Sequence, residues 1–166
     1  MATGSDVIAP FPTESHDHVH CIEEALDAAE QKCSEEGLRL TPLRRRVLEL
    51  VWSSHEPVGA YHILDTLREE RAGAAPPTVY RALEFLRDHD LIHRIESLNA
   101  FVGCGDPARR HGGQFLICTE CGAVAELDDP DIAGAVACRA DALGFTVDRQ
   151  TIEVSGRCGA CAGKGS

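Results

Sequence analysis

Residues 78–104, TVYRALEFLRDHDLIHRIESLNAFVGC, decide the fold of this chain. The stretch opens with a helical pattern whose apolar side repeats at i, i+4 and i+7: Val79, Leu83 and Leu86. Two strand-like runs follow, at 91–97 and 100–104, and they are close enough in sequence to form a hairpin. A helix that leads into a β-hairpin, with further helices before it, is the pattern of a winged helix-turn-helix.

Three more helical patterns precede this stretch. They cover residues 17–36, a segment opened by Thr41-Pro42 and ended by Pro57, and residues 59–71. The fourth helix, at the start of the quoted stretch, is predicted to be capped by Thr78. Residues 17–104 are therefore predicted to form a winged-helix DNA-binding domain. Residues 1–16 show no periodicity and are predicted to be a flexible tail.

The second half of the chain follows a different pattern. Residues 105–113 form a predicted hinge linker. Residues 114–166 combine two strands around a CxxC pair, a helix at 130–143 and a strand at 145–156. This β-β-α-β unit is small, so we expect it to need a metal ion or an oligomeric partner for stability. The predicted fold class is α+β, with a C-terminal α/β dimerisation domain.

The formal net charge of −11 at first argues against a nucleic-acid partner. The charge is uneven, however. Residues 1–37 carry one lysine and nine acidic residues, whereas residues 38–97 carry nine arginines and nine acidic residues. The arginine side chain suits phosphate and guanine, so the acidity restricts where DNA binds without excluding it.

Eight cysteines in 166 residues are a further clue to the chemistry. The sequence contains no run of 18 apolar residues, so no membrane span is predicted, and the N-terminal residues show no secretory signal. The sequence therefore predicts a cytoplasmic location without membrane contact. Disulfides are uncommon there, so metal binding is the better interpretation of the cysteines.

The most specific motif consists of two CxxC pairs. Their cysteines are Cys118, Cys121, Cys158 and Cys161. Two such pairs supply four thiolates in a tetrahedral shell, which is a closed structural zinc site. A thioredoxin-like redox motif is disfavoured, because neither pair is predicted to follow a strand and open a helix.

Four further potential ligands flank the predicted hinge: His93, Cys104, His111 and Glu126. Spacing alone is a weak signal for them. Two of them precede the hinge, one lies in it and one follows it. A single ion bound by all four would fix the first half relative to the second and could thereby control DNA binding.

The chain resembles the ferric uptake regulator superfamily, and within it the zinc uptake regulator (Zur) subfamily. The resemblance covers residues 20–161, and its most specific pieces are RLTPLRRRVLEL (39–50), PPTVYRALEFL (76–86), LIHRIESLNAFVGC (91–104), FLICTECGAV (115–124) and CGAC (158–161). It implies a homodimeric, metal-dependent repressor that binds double-stranded, pseudo-palindromic operator DNA and controls zinc uptake genes. It also implies two Zn²⁺ per subunit. The CxxC cysteines match the structural site and the four hinge residues match the regulatory site. The Cys104 thiolate favours zinc over Fe²⁺ or Mn²⁺.

The predicted DNA contacts lie mostly in the quoted stretch. Arg81 is predicted to read a base, and Tyr80 to touch phosphate or a thymine methyl group. The resemblance adds Tyr61. Four residues are candidates for contacts to the DNA backbone: Arg44, Arg45, Arg46 and Thr78.

Three alternatives stay open. The first is a sister regulator of the same family that senses another metal or peroxide. The second is a thiol redox switch built on the four-cysteine site. The third is a zinc hydrolase, which needs an open coordination position that four protein ligands do not leave. The sequence has no GxSxG, HExxH or P-loop motif, so no enzyme and no small organic substrate are predicted.

Overall fold

The computed structural model describes residues 7–13, 18–70, 74–109 and 111–163. They form two compact units. The N-terminal unit comprises the described residues of 12–109, and the C-terminal unit those of 1–11 and 110–166. Parts of five predicted segments lie outside the described residues: 1–6 and 14–16 of the tail, residue 17 at the start of the first helix, 71–73 at the end of the third helix and in the loop after it, Arg110 in the linker, and 164–166 at the end of the dimerisation domain.

The four predicted helices of the N-terminal unit are present. They are α1 (His18–Glu35), α2 (Pro42–Trp52), α3 (Ala60–Glu70) and α4 (Pro76–Asp88). Each presents one apolar side to a shared core; on α1 this side consists of Leu26, Ala29 and Cys33, all nearly inaccessible to solvent. The 3.6-residue periodicity that predicts these helices thus reflects their burial on one side.

In the N-terminal unit, the two helix starts that lie next to prolines differ. Thr41 caps α2, since its hydroxyl oxygen accepts a hydrogen bond from the backbone N–H of Arg44 at 3.4 Å. The cap predicted at Thr78 is wrong, because α4 already begins at Pro76 and Ala75 occupies the cap position. Prolines fit the first turn of a helix, where their fixed φ is helical and no N–H partner is required.

The wing is a three-stranded antiparallel sheet. Its strands are β2 (Val58–Gly59), β3 (Ile92–Ile95) and β4 (Ala100–Gly103), in the order β2-β4-β3. The predicted hairpin corresponds to β3 and β4, and Asn99 at its turn adopts a left-handed conformation with φ of 47°. Sequence periodicity does not predict β2, because two residues are too few to show an alternation.

Gly103, at the end of β4, lies against the indole ring of Trp52. A Cβ atom at this position would overlap the ring atoms, so only glycine fits here. Trp52 is the only tryptophan of the chain. Its fluorescence therefore reports on the end of β4, next to Cys104.

The C-terminal unit is built on a four-stranded sheet in the order β1-β6-β5-β7. Its strands are β1 (Val7–Ala9), β5 (Gly113–Cys118), β6 (Val124–Leu127) and β7 (Thr151–Gly156). The flexible-tail prediction is wrong for Val7–Ala9, which pair antiparallel with β6. The strand predicted at 145–156 is also wrong in its first half, since β7 begins only at Thr151.

Helix α5 (Pro130–Ala142) connects β6 to β7, and one helical turn, α6 (Gly159–Ala162), follows β7. No residue of α5 is buried within the chain. The predicted apolar side of this helix instead faces outward: Val136 is 42% exposed and Leu143, just after the helix, is 85% exposed. Within the described residues, no helix is apolar over a length that would span a membrane.

Candidate metal centres and nucleic-acid interface

The four CxxC cysteines converge on one point in the C-terminal unit. Their sulfur atoms all lie within 4.8 Å of one another, and the Sγ atoms of Cys121 and Cys158 are 3.8 Å apart. Four thiolates bound tetrahedrally to zinc at about 2.3 Å have sulfur–sulfur separations of about 3.8 Å. All eight cysteines are described, and none forms a disulfide. The donor set and its spacing therefore fit a structural zinc ion.

The sheet brings the two pairs together. Cys118 ends β5 and Cys158 follows β7, and these strands run parallel, so that their carboxyl ends lie side by side. The first pair occupies the turn before β6, where Gly122 has a φ of 74° that favours glycine. The second pair follows strand β7 and opens the short helix α6. The prediction that neither pair follows a strand and opens a helix, which argued against a redox motif, is therefore wrong for this pair.

Hydrogen bonds set the protonation of these thiols. The backbone N–H of Cys158 donates to Cys118 Sγ at 3.4 Å and, with other N–H groups of the turn, lowers the pKa of Cys118 to about 6. The hydrogen bond to Cys158 and burial raise the pKa of Cys161 to about 12. Without a cation, close thiols resist carrying several negative charges at once, and a divalent ion removes that conflict.

Two of the four predicted regulatory ligands lie together in the N-terminal unit. His93 is on β3, and Cys104 follows β4, where its backbone N–H donates to Leu91 O at 3.1 Å. Both residues are buried, and their ligand atoms lie within 4.8 Å of each other. The β3–β4 hairpin thus holds an imidazole and a thiol ready for one ion.

The other two predicted ligands lie together in the C-terminal unit. Glu126 is on β6, and its Oε1 is 2.7 Å from Nε2 of His111, which precedes β5. The side chain of His111 is fully inaccessible to solvent and that of Glu126 is 4% exposed. A buried carboxylate needs a partner of this kind, and a zinc ion satisfies both groups equally well.

Four of the predicted DNA-contacting side chains lie exposed on two helices of the N-terminal unit. Thr78, Tyr80 and Arg81 are exposed on α4, and Tyr61, at the start of α3, is 74% exposed. A cavity of about 190 Å³ between these helices and the wing has both tyrosines in its lining. This surface combines aromatic faces with an outward arginine, as a major-groove reader requires.

Two further arginines line the same cavity and are candidate DNA contacts that sequence reasoning did not name. Arg87 of α4 and Arg94 of β3 both line the cavity. Nη2 of Arg94 donates to Asn99 Oδ1 at 2.9 Å, which joins the side chain to the wing turn. The helical periodicity already indicated that Arg87 points outward, so it could have been named as a candidate. Arg94 could not, because no sequence pattern shows that the wing packs beside α4.

The three arginines of α2 are engaged within the N-terminal unit. Arg44 lies over the Phe85 ring, with Cζ 3.5 Å from the ring centroid. Arg45 pairs with Glu30. Arg46 donates to Glu70 at 3.0 Å and to Glu49 at 2.7 Å, and the bond to Glu70 contributes most to raising its pKa. These contacts connect α2 to its neighbours.

The chain is similar to known proteins of one family. The profile of the ferric uptake regulator family matches residues 35–155. The zinc uptake regulation protein of Escherichia coli K12 is 39% identical over 142 residues, which are 84% of this chain and 82% of that protein.

Two solved structures are similar over most of the chain. A zinc uptake regulator in complex with zinc and DNA has a TM-score of 0.82 at 38% identity, covering 86% of this chain and 96% of that one. The holo form of XcZur has a TM-score of 0.79 at 48% identity, covering 84% of this chain and 98% of that one.

Proposed function

Because the chain belongs to the ferric uptake regulator family, we propose that it is a zinc-responsive, homodimeric transcriptional repressor that binds operator DNA. In this proposal the CxxC cysteines hold a structural zinc. A second zinc takes His93 and Cys104 from one unit and His111 and Glu126 from the other. The relatives named for zinc uptake point to genes of zinc uptake as the targets.

The observation that carries the proposal is the pairing of the regulatory ligands. Each unit presents two buried ligand groups side by side, and in this proposal the four supply one thiolate, two imidazoles and one carboxylate to one zinc ion. The thiolate selects zinc over harder ions. A zinc that binds all four favours the arrangement of the units in which they meet. Coupling to DNA follows if that arrangement also fits the operator.

The uncovered apolar surface of the C-terminal unit supports the homodimer. The surface includes the outward side of α5, Phe145 at 66% exposure and Val154 of the edge strand β7 at 50% exposure. Exposed apolar side chains, together with a strand at the edge of the sheet, favour association of two copies. A symmetric dimer presents two α4 helices to the two halves of a pseudo-palindromic operator.

The proposed DNA contacts are expected to contribute unequally to the affinity for DNA. Arg81 and Tyr80 of α4 and Tyr61 of α3 contact base edges or nearby backbone, and Thr78 contacts a phosphate. Arg44, Arg45 and Arg46 contribute less, because a phosphate would have to replace partners that they already have in the chain.

Zinc titration of operator binding tests the proposal. We expect two zincs per chain, of which a mild chelator removes one. DNA binding, measured by gel shift against free zinc, should follow the removable ion. DNA binding that follows iron or manganese, with zinc inactive, would instead identify a sister regulator.

Substitution of Arg81 by alanine is expected to weaken operator binding by about thirtyfold or more, since each of the two bidentate arginine–guanine contacts of the dimer contributes about 1–3 kcal/mol. Zinc content and thermal stability should not change, because Arg81 is exposed. Arg68→Ala, on the exposed side of α3, serves as the matched control for lost positive charge. Equal losses with operator and with unrelated DNA would show that Arg81 does not read the sequence.

A second candidate, a redox switch, is favoured by one observation. Cys121 is exposed, and its Sγ lies 3.8 Å from that of Cys158, so an oxidant could reach one thiol and join it to the other. In this candidate a peroxide oxidises Cys121 and Cys158 to a disulfide, the peroxide is reduced to water, and zinc is released. DNA binding that is lost with peroxide but is indifferent to added zinc would favour this function over zinc sensing.

A further inference from the structure

A pair of histidines in the N-terminal unit belongs to neither metal centre. His18 is the first residue of α1, and His55 lies between α2 and β2. Their side chains meet although 37 residues separate them: Nδ1 of His18 is 3.1 Å from Nε2 of His55. The ring centroids are 4.6 Å apart and the rings are tilted by 57°, so the nitrogens approach each other without ring stacking.

This geometry suits a shared ion. Two imidazole nitrogens bound to one tetrahedral zinc at about 2.0–2.1 Å lie about 3.3 Å apart. The observed 3.1 Å is near that value, and it also suits a hydrogen bond from one neutral ring to the other. The two interpretations predict different metal contents, so they can be separated by experiment.

A cysteine and two carboxylates lie near the two histidines in the sequence. Cys21 is half-buried and follows His18 by three positions, which places it on the same side of α1. Glu24 of α1, paired with His20 at 3.1 Å, and Glu56, next to His55, add negative charge nearby. Negative potential raises the local concentration of divalent cations, whereas the positive end of the α1 dipole opposes them.

We propose that His18 and His55 form an accessory site for a divalent transition-metal ion, with zinc as the first candidate. Its affinity is lower than that of the two four-ligand centres, because only two imidazoles hold the ion firmly and the helix dipole opposes it. The bound ion joins the start of α1 to the segment that leads into α3, where Tyr61 lies. Occupancy of this site therefore stiffens the support of a proposed DNA contact when zinc is abundant.

Zinc counting across a range of free zinc tests the proposal. The full-length protein is dialysed at defined free zinc, and bound zinc per chain is measured by elemental analysis. The wild type should bind one additional zinc as free zinc rises. His55→Gln and His18→Gln should each lower the affinity for this last zinc by about tenfold or more, since each removes one of the two imidazole ligands. Glutamine keeps a side chain capable of hydrogen bonding to the remaining histidine.

A matched control and a second readout complete the test. His62→Gln removes an exposed histidine of α3 and should behave as the wild type. The ¹⁵N ring signals of His18 and His55 should shift together as the last zinc binds. Identical zinc counts in all four proteins, with unchanged ring signals, would show that the pair is only a hydrogen bond and would overturn the proposal.

Discussion

Replacement of Cys104 by serine is expected to abolish zinc-dependent operator binding while the structural zinc stays in place. A serine hydroxyl is not ionised at neutral pH, so the regulatory shell loses its only thiolate and its selectivity for zinc. Because even indirect changes around a metal cost about 10–100-fold in affinity, we expect the loss of a direct ligand to exceed tenfold. Zinc per chain, together with gel shifts at several free zinc concentrations, measures the effect.

Cys138→Ser is the matched control, because this cysteine is exposed on α5 and belongs to neither centre. Trp52 gives an independent readout through its contact with Gly103, the residue before Cys104. Zinc should alter its fluorescence in the wild type and in the control, but not in Cys104→Ser. An unaltered zinc response of Cys104→Ser in the gel shift would refute the proposed regulatory site.

The second large effect is expected from Cys158→Ser, which should unfold much of the C-terminal unit. The buried hydrophobic core of this unit is small: Phe115, Ile117, Cys118, Ala123, Ala125 and Cys158. Two of these are themselves proposed zinc ligands, and α5 adds no buried residue. A unit with so little apolar burial depends on its metal, so loss of the structural zinc removes its cooperative folding.

The N-terminal unit should survive this substitution. Its core joins four helices and the wing through 18 buried residues, none of which comes from the C-terminal unit. We therefore expect circular dichroism to retain the signal of α1–α4. Limited proteolysis should cut residues 114–163, and dimerisation and operator binding should be lost even with excess zinc. A cooperative, dimeric C-terminal unit without bound zinc would contradict the proposed structural role.

The helices were the most predictable part of the fold. A helix that buries one side repeats its apolar residues every three to four positions, and this signal is contained within a few turns of chain. Strands β1 and β2 were not predictable in this way. They are two or three residues long, and each exists because a partner strand, β6 or β4, lies beside it. Strand pairing depends on residues that are far apart in the sequence, and no local pattern records it.

The candidate sites also differ in how far the sequence alone predicted them. The spacing of the two CxxC pairs was enough to predict one zinc shell, because each pair is local and its chemistry is specific. By contrast, the α2 arginines looked like phosphate ligands, and only the folded chain shows their carboxylate and aromatic partners. Arg94 had no local signal at all, since its place beside α4 depends on how the wing folds back.

The opening stretch, residues 78–104, determined by itself that this chain contains a winged helix, because its helix and its hairpin are both local patterns. The two CxxC pairs were likewise enough to predict a metal site. Only the tertiary structure decided that β5 and β7 run side by side, that the pairs meet at 3.8 Å, and that His18 meets His55. The physical reason is the range of the interactions: hydrogen bonds within a helix join near neighbours, whereas the paired residues of β5 and β7, the two CxxC pairs, and His18 and His55 are 37 or more positions apart in the sequence.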